Sequence, residues 1–169
     1  RMMNTLSGRF LILTIIFLML AEVFIFVPSV ARFREDYLLA RLERAQIASL
    51  ALEADDMISV ELEAELLKNA GVYNVVLRRD EIRQLALSSI VPGDVWDTYD
   101  MRDPPAMELI MDAMMVLWDT EDRIIRVVGS PVQDGGLLIE VTMDAKPLRA
   151  AMVEYGINVL ILSAIISIV

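Results

Sequence analysis

Between Phe10 and Val30 the chain reads FLILTIIFLMLAEVFIFVPSV, 21 residues with a single ionisable side chain, Glu22. No other feature limits the possible folds as much. A helix rising 1.5 Å per residue crosses a hydrocarbon core of roughly 30 Å in about 20 residues, so this run is long enough to span a bilayer. A secretory leader has an apolar core of only about 7–15 residues, then small residues and a cleavage site. Here Arg32 and Arg34 follow instead. The reading is a retained transmembrane helix over 10–30, preceded by a cytoplasmic tail over 1–9.

The second apolar run is YGINVLILSAIISIV, residues 155–169, without a charge. At 15 residues it is too short to span by the same rule. It is expected to be the start of a second transmembrane helix that the natural chain continues, the alternative being a buried hydrophobic helix. Long loops translocate largely regardless of their charge, so the short tail with Arg1 and Arg9 sets the orientation. That keeps the tail inside and puts residues 31–154 outside the cytoplasm. A carboxylate deep in the bilayer costs about 2.5–3.5 kcal/mol unless it is protonated or paired. Glu22 is therefore either a protonated, lipid-tolerated side chain without a role or one with an intramembrane partner or dimer contact, and Asn158 lies at similar depth if the two helices run antiparallel. Ser163 and Ser167 form a small-xxx-small pair that permits close helix approach.

The two ends leave the charge in the middle. The chain carries a net −10, and residues 31–154 alone carry −11. Such a domain repels a phosphate backbone, so nucleic acid is excluded as a partner. The chain has no cysteine and no histidine. Disulfides, thiol nucleophiles, the commonest general base and the usual zinc ligands are all missing from it. No catalytic motif is visible.

No Gly or Pro occurs between Pro28 and Gly71, so a helix leaving the membrane runs through 32–54. Along it Leu38, Leu42, Ala45, Ser49 and Leu52 recur at 4, 3, 4 and 3, a coiled-coil-like seam. The seam is expected to face a second chain in a homodimer, or else the domain's own core. Ser59 is the N-cap of a short helix that ends at Gly71. Strands are expected over 72–78, 82–87, 123–128 and 137–143, with 91–103 irregular. Pro104-Pro105 opens an amphipathic helix to about Leu117, and a last helix from about Lys146 feeds the second span. The fold class is α+β, an antiparallel sheet with flanking helices between two membrane helices.

The order of a membrane helix, ELEAELLKNAGVYNVVLRRDEIRQLAL, MRDPPAMELIMDAM, RIIRVVGSP and IEVTMDAKPLRAAMVEYGINVLILS resembles the input half of a bacterial membrane sensor histidine kinase. The resemblance covers nearly the whole chain and rests on architecture and local phrases. It implies a PAS-like periplasmic sensor domain over 31–154, an inner-membrane location, and a homodimer in contact with membrane lipid. It also implies a kinase core beyond Val169 that uses ATP and Mg and signals to a response regulator. HAMP, the phospho-accepting histidine and the ATP-binding boxes are absent from these residues, so no kinase residue is carried over and no cofactor belongs to this chain. Input modules of chemoreceptors or cyclic-nucleotide signalling enzymes share this design. A structural subunit of another membrane complex is the reading from a different class.

Two ligand chemistries are open. DVWDTYDMRD spaces Asp94, Asp97, Asp100 and Asp103 by three. On an irregular helical turn they would collect a hard divalent cation such as Mg²⁺ or Ca²⁺, or they form a solvated loop. Trp96 and Tyr99 would make one wall of a pocket. A small carboxylate would be held by an arginine among Arg78, Arg79, Arg83, Arg102, Arg123 and Arg126, with Arg102 the first choice. Met101, Met107, Met111, Met114 and Met115 are expected to be adaptable core.

Overall fold

The computed structural model describes residues 6–55, 57–82 and 84–168. The first five residues of the expected N-terminal tail, Asp56, Arg83 and Val169 lie outside the described residues. The apolar run and the helix after it form one element, α1, Leu6–Ala54. Its 49 residues make a rod of about 70 Å. Pro28 sits inside α1 without ending it. α2 (Val60–Ala70) is closed at both ends as its sequence demands. Ser59 accepts the Leu62 N–H at 3.1 Å, and Gly71, at φ +76°, donates its N–H to the carbonyls of Leu67 and Lys68. Arg41 of α1 donates to the Ala70 carbonyl at 3.2 Å, pinning the end of α2 to α1.

The remaining elements are β1 (Asn74–Arg78), β2 (Gln84–Leu87), β3 (Val95–Asp100), α3 (Ala106–Trp118), β4 (Ile124–Gly129), β5 (Leu138–Asp144) and α4 (Ala145–Ile168). The sheet has five strands in the order β2-β1-β5-β4-β3. Two expectations are corrected. Residues 95–100 form a strand rather than an irregular segment. The sheet is also mixed, because β3 pairs with β4 in parallel while the other neighbours are antiparallel. The reason is α3. It carries the chain from the end of β3 back to the start of β4, and a parallel pair needs such a crossover.

Alternate residues of the central strands meet the helices. Val75, Leu77, Ile125, Val127, Ile139 and Val141 are buried with Leu148 and Met152 of α4. The seam of α1 joins this core. Leu38, Leu42, Ala45 and Ser49 are buried within the chain, and Leu52 packs partly against the same cluster. Of the two expected roles for the seam, the structure shows the second: it faces its own sheet. Leu42 lies so close to β4 that a Cβ on Gly129 would run into its Cδ1. Gln46 fastens the same face by donating to the Val132 carbonyl at 3.1 Å and accepting the Val132 N–H at 2.8 Å.

Among the described residues two helices, α1 and α4, are long and apolar enough to cross a membrane. They touch along their apolar parts. Phe33 stacks on Tyr155 at 4.5 Å, and a Cβ on Gly156 would lie 3.0 Å from the Phe26 ring. The described residues thus form an α+β domain with a five-stranded mixed sheet and four α-helices, two of which continue into apolar segments.

Candidate functional site

β3 arranges its side chains by strand geometry, not helical geometry. A spacing of three therefore puts Asp97 and Asp100 on opposite faces. Asp94 precedes the strand and Asp103 follows it, and all four carboxylates are exposed. The cation cluster expected from a helical turn is not assembled. Among the described residues no group of three or more acidic side chains is gathered as metal ligands.

Asp100 has another partner. Arg102 donates to its carboxylate from Nε at 2.9 Å, from Nη2 at 2.6 Å and from its backbone N–H at 3.0 Å. These hydrogen bonds hold the Asp100 carboxyl at about 2, well below its ordinary value. Arg102 is accordingly an exposed partner of Asp100 and lines no pocket with Trp96 and Tyr99.

Trp96 and Tyr99 do share a cavity. Regular alternation would separate them, but the register of β3 against β4 shifts between Val95 and Asp97, which resets the alternation. Both side chains then line a cavity of about 400 Å³ between the β3–β4 edge, the C-terminal end of α3 and the N-terminal turns of α4. Met115 and Ile125 complete the apolar wall, and the charged lining comes from the 119–122 loop, Arg123, Lys146 and Arg149.

Arg123 lies 4.8 Å over the Trp96 ring and pairs with Asp119 at 3.0 Å and Glu121 at 2.9 Å. The Glu121 backbone N–H and the Arg123 side chain together hold the Asp119 carboxyl below its ordinary value. Arg149 donates from Nη2 to the Leu117 carbonyl at 3.1 Å, while its Nε is buried with no hydrogen-bond partner. Arg149 was invisible to sequence reasoning as a site residue, because it depends on docking against a carbonyl 32 residues away.

Behind the cavity wall stands Arg34 of α1. Its guanidinium lies 4.5 Å from the Tyr99 ring centre, at 0% exposure, and none of its three nitrogens has a hydrogen-bond partner. Burial raises the Tyr99 phenol above its ordinary pKa, and Arg34 opposes the rise. Tyr99 thus connects the cavity to α1, and Arg149 connects it to α4.

In the apolar segments, Glu22 meets Ser163 rather than Asn158. The Ser163 hydroxyl lies 3.5 Å from Glu22 Oε1, in a groove that also holds Ala21, Val159 and Ser167. Asn158 is exposed, five residues and thus more than a third of a turn away from Ser163 on the α4 surface. The methionines divide as well. Met101 is buried and Met114 packs against the core. Met107, Met111 and Met115 stand 66%, 59% and 56% exposed in one stripe of α3, with Trp118 at 90%. Their expected place in the core is corrected: their spacing of four gathers them on the outward face of α3. No family model, curated protein or solved structure matches the chain.

Proposed function

We propose that this chain is the signal-sensing transmembrane module of a two-component sensor histidine kinase. A PAS-like domain over 31–154 stands in the periplasm, and the module acts as a homodimer in the inner membrane. The observation that carries the reading is continuity. α1 and α4 each run unbroken from the domain core into an apolar segment, so a change in packing around the sheet displaces a membrane helix. The cavity at the α3–α4 corner touches both through Tyr99–Arg34 and Arg149. The parallel β3–β4 pair departs from a purely antiparallel PAS-like sheet, and the helix-and-strand order supports the likeness.

The mechanism is conformational. A cue shifts the domain between two packings and thereby shifts the equilibrium of the output. The kinase core, its ATP and Mg, and its response regulator lie beyond these residues. The test joins the chain through a HAMP linker to a kinase core and follows autophosphorylation in membrane vesicles. One or two alanines inserted after Glu154 turn the rest of α4 by about 100° or 200°. Autophosphorylation should change several-fold and differ between the two insertions. Identical output from all three chimeras would remove the signalling reading and favour a structural subunit.

A further inference from the structure

We propose that the cavity between α3 and α4 binds a small organic carboxylate with an apolar body. The carboxylate engages Arg149 and Lys146, and the body lies on Trp96, Tyr99 and Met115. The lining itself sorts the candidate ligands. Arg123 is paired with both Asp119 and Glu121 and covers the Trp96 face, so its charge is already balanced and it serves as a wall. Arg149 lines the cavity, held by one arm on the Leu117 carbonyl, and among the described residues no carboxylate forms an ion pair with its guanidinium. A cavity-lining guanidinium without a carboxylate partner favours a ligand that brings one.

Lys146 stands next to it at the start of α4. Its nearest carboxylate is Asp122 at 3.9 Å, with both side chains exposed, so the ammonium is loosely held and free to turn. The N-terminal end of α4 adds the positive end of a helix dipole. A cationic ligand has less to gain. Asp119 and Glu121 are engaged by Arg123, which leaves Asp122 as a loosely held carboxylate beside two cations, Lys146 and Arg149. The opposite wall is apolar, which favours a carboxylate that carries an aryl or branched body over a bare inorganic anion.

This ligand class rests on the α3–α4 corner being the input site of the module. Isothermal titration of the full chain in nanodiscs tests it with benzoate and phenylacetate as probes. Benzamide, acetate and inorganic phosphate serve as controls. Saturable binding of at least one aryl carboxylate is expected, with each control weaker by about tenfold or more. Arg149→Gln should weaken the aryl carboxylate by about tenfold and Lys146→Ala by a smaller factor, while Arg102→Gln leaves it unchanged. No saturable binding of either aryl carboxylate would overturn the proposal, as would equal binding of benzamide or unchanged affinity in Arg149→Gln. Arg149 also anchors the end of α3, so if Arg149→Gln fails to fold, Lys146→Ala decides, and unchanged affinity there overturns it too. Binding is read without any kinase. Binding with an unresponsive chimera removes the signalling reading alone, whereas a responsive chimera with no binding removes only the ligand.

Discussion

Arg34 shows how little a residue's neighbours in sequence reveal of its role. In the chain it reads as a basic flank behind an apolar run, yet in the fold its guanidinium is sealed between α1 and Tyr99 without a hydrogen-bond partner. A buried charge in that state opposes folding, and attraction to Asp112 and to the Tyr99 face offsets only part of the cost. Arg34→Met keeps the length of the side chain and removes the charge. It should stabilise the domain by about 1–3 kcal/mol in denaturant titrations of the full chain in detergent. A loss of stability would mean that attraction to Asp112 and Tyr99 outweighs the cost of burying the charge.

Asp100 is the opposite case, an exposed carboxylate whose behaviour follows wholly from one neighbour. Its pKa is depressed in the fold, so the interaction with Arg102 is present above the ordinary carboxylate range and fades as pH falls toward about 2. Carboxyl-carbon NMR should place its midpoint near that value, and Arg102→Gln should return it to the ordinary range. A midpoint already ordinary in the unsubstituted chain would contradict the geometry. The pair is exposed, so the melting temperature should barely move.

Among the elements, the legible ones are those whose ends are written locally. Ser59 and Gly71 bracket α2, Pro104-Pro105 precede α3, and the β-branched stretches before Arg78 and before Gly129 became β1 and β4. β3 was not legible. Val95–Asp100 contains two aspartates, a residue type depleted in strands, and only pairing with β4 makes it one. That miss propagated to the site, because the helical spacing assumed for the aspartates dissolves once the segment is extended.

The seam of α1 was legible as a buried face, while its partner was not. Spacing of 4 and 3 says that a stripe is covered and says nothing of what covers it. Here β4 does, with Leu42 against Gly129. Gly129→Ala should therefore destabilise the domain by about 1–3 kcal/mol through overpacking. Adding Leu42→Ala should recover part of that loss, so the double variant is less destabilised than the sum of the two singles. Strict additivity in the cycle would mean that the two residues do not meet.

At the scale of the whole molecule, charge and hydropathy divide the chain into an acidic middle and two apolar segments long enough, as helices, to cross a membrane. A domain of −11 lies between two segments that avoid water. The division was fully legible because it depends on composition alone. The α3–α4 cavity was legible only by half: Trp96 and Tyr99 were named, and Lys146 and Arg149 were not. The aromatics announce themselves by type, whereas the two cations take part only because α4 starts beside the end of α3.

Pro28 gives this arrangement a mechanical character. The bending stiffness of a helix comes from its ladder of hydrogen bonds, and a proline leaves one rung out and crowds the carbonyl a turn before it. α1 is therefore a beam with a notch, cut where the apolar run gives way to the acidic domain. α4 has its proline, Pro147, in its first turn, where no rung is lost, so the second support has no such notch. A body carried on one notched and one plain support, the two in contact at Phe33–Tyr155 and Phe26–Gly156, does not swivel freely. It flexes most easily at the notch, and the plain support sets the direction in which that flexing travels.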